Sequence, residues 1–331
     1  MTVDIPSQKS RYWLLTMPRT ASNMLVRVLN LDEQDVRPAR NGGYFFFPGM
    51  LARMNLFDKP SEEWTPEEHA VVKGDTQKSF DALQDHLKAA EEEGKKIFVK
   101  EHISFLNSPY YEQEYAFGKA KDCLIETANA RGVTQPTRSS LNLTSLPDEF
   151  LKTWHPTFLI RHPALMFPSL YRTALKGVEM DGKGRAQPEP YEVEATLKFA
   201  RTLHEFYSDY FGKNSQWPIL LDADDVMASP EVVMRYAELV GLDPEKLKFS
   251  WEKMSQEQIG KMRSAEQIML SSINASTGVD KGKMAGNINI DTEAEKWRKE
   301  FGEEGGSKLE RWVRAAMPDY EYLRSKRLTL G

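Results

Sequence analysis

The stretch that constrains this chain most begins at Tyr12, where the apolar run YWLLTM passes directly into PRTASN and then into MLVRVLNL. A short unbroken apolar run predicts a buried strand, and Leu25, Val28 and Leu29 recur at helical spacing. Strand, loop and helix are expected in that order, with Thr20 or Ser22 capping the helix. Three later runs have the same character: KKIFVKEH after Gly94, TFLIRHP at 157–163 and WPILLDADD at 217–225. Helix-length segments separate them. Thr65, Pro66 and Glu68 stand as N-cap, N1 and N3 of a capping box opening a helix with Phe80, Leu83 and Leu87 on one side, ended by Gly94. Leu197, Ala200, Leu203 and Tyr207 share a face of another helix. Strands joined through helices pair in parallel. The expected fold is therefore α/β: a central parallel sheet flanked by helices, with helical and loop insertions, in one domain over 1–331. Residues 271–287, rich in Ser, Gly, Asn and Lys, are expected to form a long loop, and the last 40 residues helices packed through Trp297, Phe301, Leu309 and Trp312.

Composition narrows the classes of function. With 44 Lys plus Arg against 49 Asp plus Glu the formal charge is −5, which excludes a strongly basic nucleic-acid binder. Hydrophobic residues, 40% of 331, suffice for a sizeable core. Cys123, the single cysteine, leaves neither a disulfide nor a Cys-based zinc site within the monomer. No apolar run approaches the roughly 18 residues of a membrane span, and MTVDIPSQKSR lacks an apolar leader core, so a cytoplasmic protein without a membrane partner is expected. His69, His86, His155 and His204 have no metal-ligand company, and no metal is expected. The run from Gly177 to Gly182, Lys183 and Gly184 imitates a phosphate-binding loop, but it follows a helical pattern and lacks the hydroxyl that would hold Mg²⁺; it is read as chance.

Three places carry residues suited to anion chemistry. A helix that starts straight after a strand and loop offers free N–H groups where its dipole favours negative charge. Arg19 adds a positive fork there, and Ser22 and Asn23 add short donors. Lys100 and His102 alternate with Glu101, so the first two leave one face of a strand at its carboxyl end, where α/β sheets bind ligands. A histidine so placed suits proton transfer; Glu101, pointing away, is expected to be solvated or salt-bridged. Arg161 ends a third strand, with a structural ion pair beneath the sheet as its competing role, and His162 is a helix-entry residue before Pro163. Beyond the first helix, Tyr44, Phe46, Phe47, Met50 and Met54 have the character of an apolar acceptor pocket; the same residues equally suit a core.

LLTMPRTASNM resembles the 5′-phosphosulfate-binding loop of sulfotransferases that use 3′-phosphoadenosine-5′-phosphosulfate (PAPS). FLIRHPALMFPSLYR is similar to the family's 3′-phosphate block, with Arg161, Pro163 and Ser169 at its spacing, and KIFVKEHIS resembles the strand ending in Lys-x-His. ILLDADDVMASP and KWRKEF are weaker likenesses. The resemblance implies a P-loop NTPase-like sulfotransferase architecture and an enzyme that moves a sulfuryl group from PAPS to the hydroxyl of a small alcohol or phenol, releasing 3′-phosphoadenosine-5′-phosphate without a metal. It implies that His102 is the general base and that Arg19 and Lys100 stabilise developing charge. It further implies that Arg19, Thr20, Ala21, Ser22, Asn23 and Met24 surround the 5′-phosphate, that Arg161 and Ser169 hold the 3′-phosphate, and that Lys281 and Lys283 close over it. Many members have Lys, Gly and Trp where this chain has Arg19, Ala21 and Met24, and Tyr near Ala223. Those departures leave two alternatives: a scaffold recruited to elimination, rearrangement or cyclisation, or a non-catalytic nucleotide-binding scaffold.

Overall fold

The computed structural model describes residues 10–118, 127–176, 187–262 and 264–330; Cys123 and the glycine run from Gly177 to Gly184 lie outside them. Four strands, β1 (Arg11–Thr16), β2 (Ile97–His102), β3 (His155–Ile160) and β4 (Ile219–Asp222), pair in parallel in the order β2-β1-β3-β4. Both faces are covered, which is why the strands read as continuous apolar runs. On β1, Trp13 and Leu15 enter the larger core and Leu14 enters a second core on the opposite face. On β2, Ile97 and Val99 face the larger core and Phe98 the second. The register sets Leu14 beside Lys100 and Thr16 beside His102. The chemistry-bearing ends of β1 and β2 are therefore fixed next to each other before any loop is considered.

Helix α1 (Ser22–Leu29) follows β1, but neither expected cap residue caps it. Ala21 occupies the cap position with φ 64 and ψ 20, and the Thr20 hydroxyl instead donates to the Met17 carbonyl at 2.8 Å. Arg19 and Ala21 both take positive φ, so the loop is bent back twice within three residues. Two helices matter later: the short α2 (Phe47–Met54) and the long α3 (Pro66–Glu92). Helix α3 opens on the expected capping box, with Thr65 Oγ1 accepting from the Glu68 amide at 3.2 Å and the Glu68 carboxylate accepting from the Thr65 amide at 2.7 Å.

Helix α4 (Pro163–Leu175) follows β3, and the His162 ring caps it by accepting from the Ala164 amide. Helix α5 (Lys198–Phe211) buries Ala200, Leu203 and Tyr207, with Leu197 buried at its N-cap. The C-terminal helix α6 (Ile290–Arg324) is broken at Gly302, where φ is 78. The stretch 271–287 is more ordered than a long loop. Ser271–Asn274 is helical, Lys281–Lys283 makes one tight turn, and the Asp224 carboxylate accepts from the amides of Ala285 and Gly286. A carboxylate in the first helical turn after β4 thus ties down a segment that its composition marks as free. Among the described residues, no helix is long and apolar enough to cross a membrane.

Candidate active site

A cavity of about 960 Å³ opens over the carboxyl ends of β1, β2 and β3. Lys100 and His102 both line it, as the alternation along β2 requires. His102 is 8% exposed, and its Nδ1 lies 2.7 Å from Thr16 Oγ1. The Thr16 hydroxyl donates to the Glu101 carbonyl at 3.2 Å, so its oxygen is left to accept Nδ1–H and the lone pair stays on Nε2. Burial, then the charges of Lys100 and Arg19, hold the imidazole well below its ordinary pKa, hence neutral. Lys100 Nζ donates to Asn23 Oδ1 at 2.5 Å and sits 4.2 Å from the Tyr44 ring. Burial pushes its ammonium down to about 7, against the opposing pull of Glu101. Glu101 itself is neither solvated nor salt-bridged. It is 1% exposed, pushed up to about 8 by burial, and accepts from the amides of Phe46 and His102.

Two guanidinium groups stand at the loop. Arg19 Nε donates to Ser169 Oγ at 2.9 Å and its Nη1 to the Met269 carbonyl at 3.0 Å. Arg161 donates to the carbonyls of Arg19 and Lys283, at 3.1 and 2.9 Å, and its buried Nε has no partner among the described residues. Their hydrogen bonds go to neutral oxygens, and burial lowers both from their ordinary value. Among the described residues, Arg161 therefore makes no ion pair beneath the sheet. Ala21, Ser22, Asn23, Met24, Ser169 and Lys283 also line the cavity. Thr20 does not: it is fully buried. Lys281 is turned outward, its ammonium donating to the Ala228 carbonyl at 3.1 Å.

The other half of the cavity is apolar. Phe47, Met50 and Met54 lie three and four residues apart on α2, so one face of that helix presents all three, and Tyr44, Phe57 and Phe105 continue the wall. Phe46 is the exception among the expected acceptor residues. It is 1% exposed, with its ring 6.2 Å from Phe80 in the core. Glu112 reaches the lining too, held by the buried Arg53 guanidinium at 2.7 Å, whose second amine donates to the Ser104 carbonyl.

No protein-family model matches the chain. It is 40% identical over 339 aligned positions to the sulfotransferase ppzF of Metarhizium rileyi (strain RCEF 4871), an alignment covering 98% of this chain and 97% of that one. It is likewise 40% identical over 337 positions to the sulfotransferase ppzF of Metarhizium majus (strain ARSEF 297), covering 96% and 97%. This chain belongs to the sulfotransferase family. Among solved structures, the sulfotransferase domain of the Synechococcus PCC 7002 olefin synthase overlaps at TM-score 0.39 and 16% identity, over 86% of this sulfotransferase and 90% of that domain.

Several residues of this sulfotransferase's site escape sequence reasoning. Trp251 lines the cavity beside Met24 and Met227, with its indole N–H donating to Ser276 Oγ at 3.1 Å and the Arg27 guanidinium 5.1 Å from its ring centre. A lone Trp in the polar run KFSWEKMS was the only signal for it. Thr16, which fixes the His102 tautomer, is the last residue of an apolar strand and looks like its end. The Arg53–Glu112 pair joins residues 59 apart in sequence, a separation that no local pattern reveals.

Proposed function

We propose that this sulfotransferase takes its sulfuryl group from PAPS and passes it to the hydroxyl of a small organic acceptor, an alcohol or phenol. What supports this reading is one grouping: an imidazole with a free ring nitrogen, an ammonium and two guanidinium groups that hydrogen-bond neutral oxygens, all on one cavity. Arg161 Nε, a buried donor with no acceptor among the described residues, is one that a phosphate oxygen would satisfy. When bound, PAPS supplies the sulfuryl group and leaves as 3′-phosphoadenosine-5′-phosphate. The amides at the start of α1, with Ser22 and Asn23, would hold the 5′-phosphate, and Arg161 and Ser169 the 3′-phosphate. Trp251, with Met24, offers the flat apolar surface that a purine needs, at a place other than the usual tryptophan.

His102 Nε2 would accept the acceptor's proton as its oxygen bonds to sulfur, while Arg19 and Lys100 meet the charge that develops on the departing phosphate oxygen. The anions of the donor would offset the two cations that depress His102, and so restore its basicity. The apolar wall of Tyr44, Phe47, Met50 and Met54 would seat the acceptor and exclude water.

Calorimetry with 3′-phosphoadenosine-5′-phosphate is the decisive experiment. The wild type is expected to bind it, and Arg161→Ala to lose about 10- to 100-fold for this bisphosphate but little for adenosine 5′-phosphate, the usual worth of a charge-assisted hydrogen bond. No binding by the wild type, or equal losses for both nucleotides, refutes the donor assignment. Binding without transfer to a broad panel of alcohols and phenols would instead favour a non-catalytic nucleotide-binding scaffold.

A further inference from the structure

We propose that Glu101 is a positioning residue that fixes Tyr44 over Lys100 and His102. Glu101 leaves β2 on the face opposite those two, beneath the site, and contacts neither donor nor acceptor space. One carboxylate oxygen accepts from the Phe46 amide and the other from the His102 amide, both at 2.9 Å, and the Phe45 amide adds a third donor. Because β2 is an edge strand, its outward amide has no ladder partner, and the carboxylate satisfies it while binding the turn that covers that edge. A carboxyl group presents two oxygens that each accept from one of these N–H donors, whereas an amide would turn its own NH₂ toward one of them.

The turn so held carries Tyr44. Gly43, at φ 101, lies so close to β2 that a Cβ there would stand 2.5 Å from the Lys100 carbonyl oxygen. Tyr44 follows at once, with its ring 4.2 Å from Lys100 Nζ and 4.6 Å from the His102 ring, and its hydroxyl bonded to the Ser22 side chain. A single buried carboxylate thereby sets the aromatic face that orients the ammonium and flanks the imidazole. Its link to catalysis, though not to placement, rests on the function proposed above.

The test uses Glu101→Gln and Gly43→Ala, which disturb the same turn from opposite sides, the second with the carboxylate intact. Acetic anhydride labelling of Lys100, read by mass spectrometry, is expected to run several-fold faster in both variants because the Tyr44 ring no longer covers Nζ. In turnover, both are expected to lose about tenfold in kcat with the KM for PAPS held within about threefold, as a misplaced catalytic group would cause. Adding Glu101→Gln to Tyr44→Ala should cost nothing more in kcat, an outcome that general loss of stability would not produce. Wild-type labelling rates in the folded variants overturn the placement. Labelling needs no turnover, so a wild type that transfers no sulfuryl group would sink the proposed function and leave this result standing, and Gly43→Ala alone decides it should Glu101→Gln not fold.

Discussion

Two side chains two residues apart illustrate how much of a site's chemistry is environmental. Lys100 and His102 are ordinary in sequence, yet burial lowers the proton affinity of both, and each cation depresses the imidazole further. On the proposed mechanism, His102→Ala lowers turnover on the order of 10²-fold while nucleotide affinity is kept, as general-base losses commonly do. Turnover near wild type in a stopped assay would remove His102 from that role. The pH profile follows from the signs. His102 accepts a proton only above its depressed pKa, so the acid limb of kcat/KM lies well below 6.5. Lys100, pushed down to about 7, loses its charge as pH rises through that value, so the alkaline limb stands near neutrality. Lys100→Arg, which keeps its charge at every accessible pH, is expected to abolish that limb and to lower kcat, because a planar fork does not place charge where an ammonium does. An alkaline limb unchanged by the substitution would assign it to another group. The environment of Glu101 is illegible in sequence for a related reason: alternation gives the face a residue leaves by, and what covers that face comes from 55 residues away.

At the scale of elements, local signals were most legible where local physics decides. The Thr65 capping box and the start of α3 at Pro66 follow from neighbours in sequence alone. Thr65→Ala is accordingly expected to cost about 1 kcal/mol, measurable as a lower urea midpoint with the slope unchanged. A loss of nothing would mean that Glu68 and the packing of α3 hold the terminus without the cap. The strand-loop-helix at the anion loop was legible as a whole, but its cap was not. Ala21 takes the cap position in a left-handed conformation that usually favours glycine, a conformation its residue type gives no sign of. The stretch 271–287 misled for the opposite reason. Its polar composition describes a loop, yet Asp224 and Arg161, contributed by other elements, bind its backbone and order it.

For the molecule as a whole, buried histidines set the acid response. His86 and His204 are 5% and 3% exposed and are both pushed down to about 4, chiefly by burial. Between 6.5 and 4 the unfolded chain binds protons that the folded one refuses, so these two contribute stability above 6.5 that is lost as pH falls. Glu101, held protonated up to about 8, works the other way from 4.5 upward. Among the described residues, five depressed histidines (His86, His102, His155, His162 and His204) outnumber the three acids raised by burial (Glu101, Glu112 and Asp222), so a net loss of stability is expected as pH falls below 6.5. Urea unfolding at pH 7 and pH 5 checks it; equal midpoints would contradict it. The sequence by itself determined the four parallel strands, the face from which Lys100 and His102 emerge, and the loop that gathers helix-terminal amides, because each follows from spacing along one segment. Only the tertiary structure decided that Phe46 is core while Phe47 lines the cavity, that Arg161 bonds carbonyls, that Trp251 joins the site, and that a carboxylate lies sealed beneath it. Those outcomes depend on which distant segment comes to cover a given face, and burial and hydrogen-bond satisfaction between remote parts of the chain leave no periodicity to read.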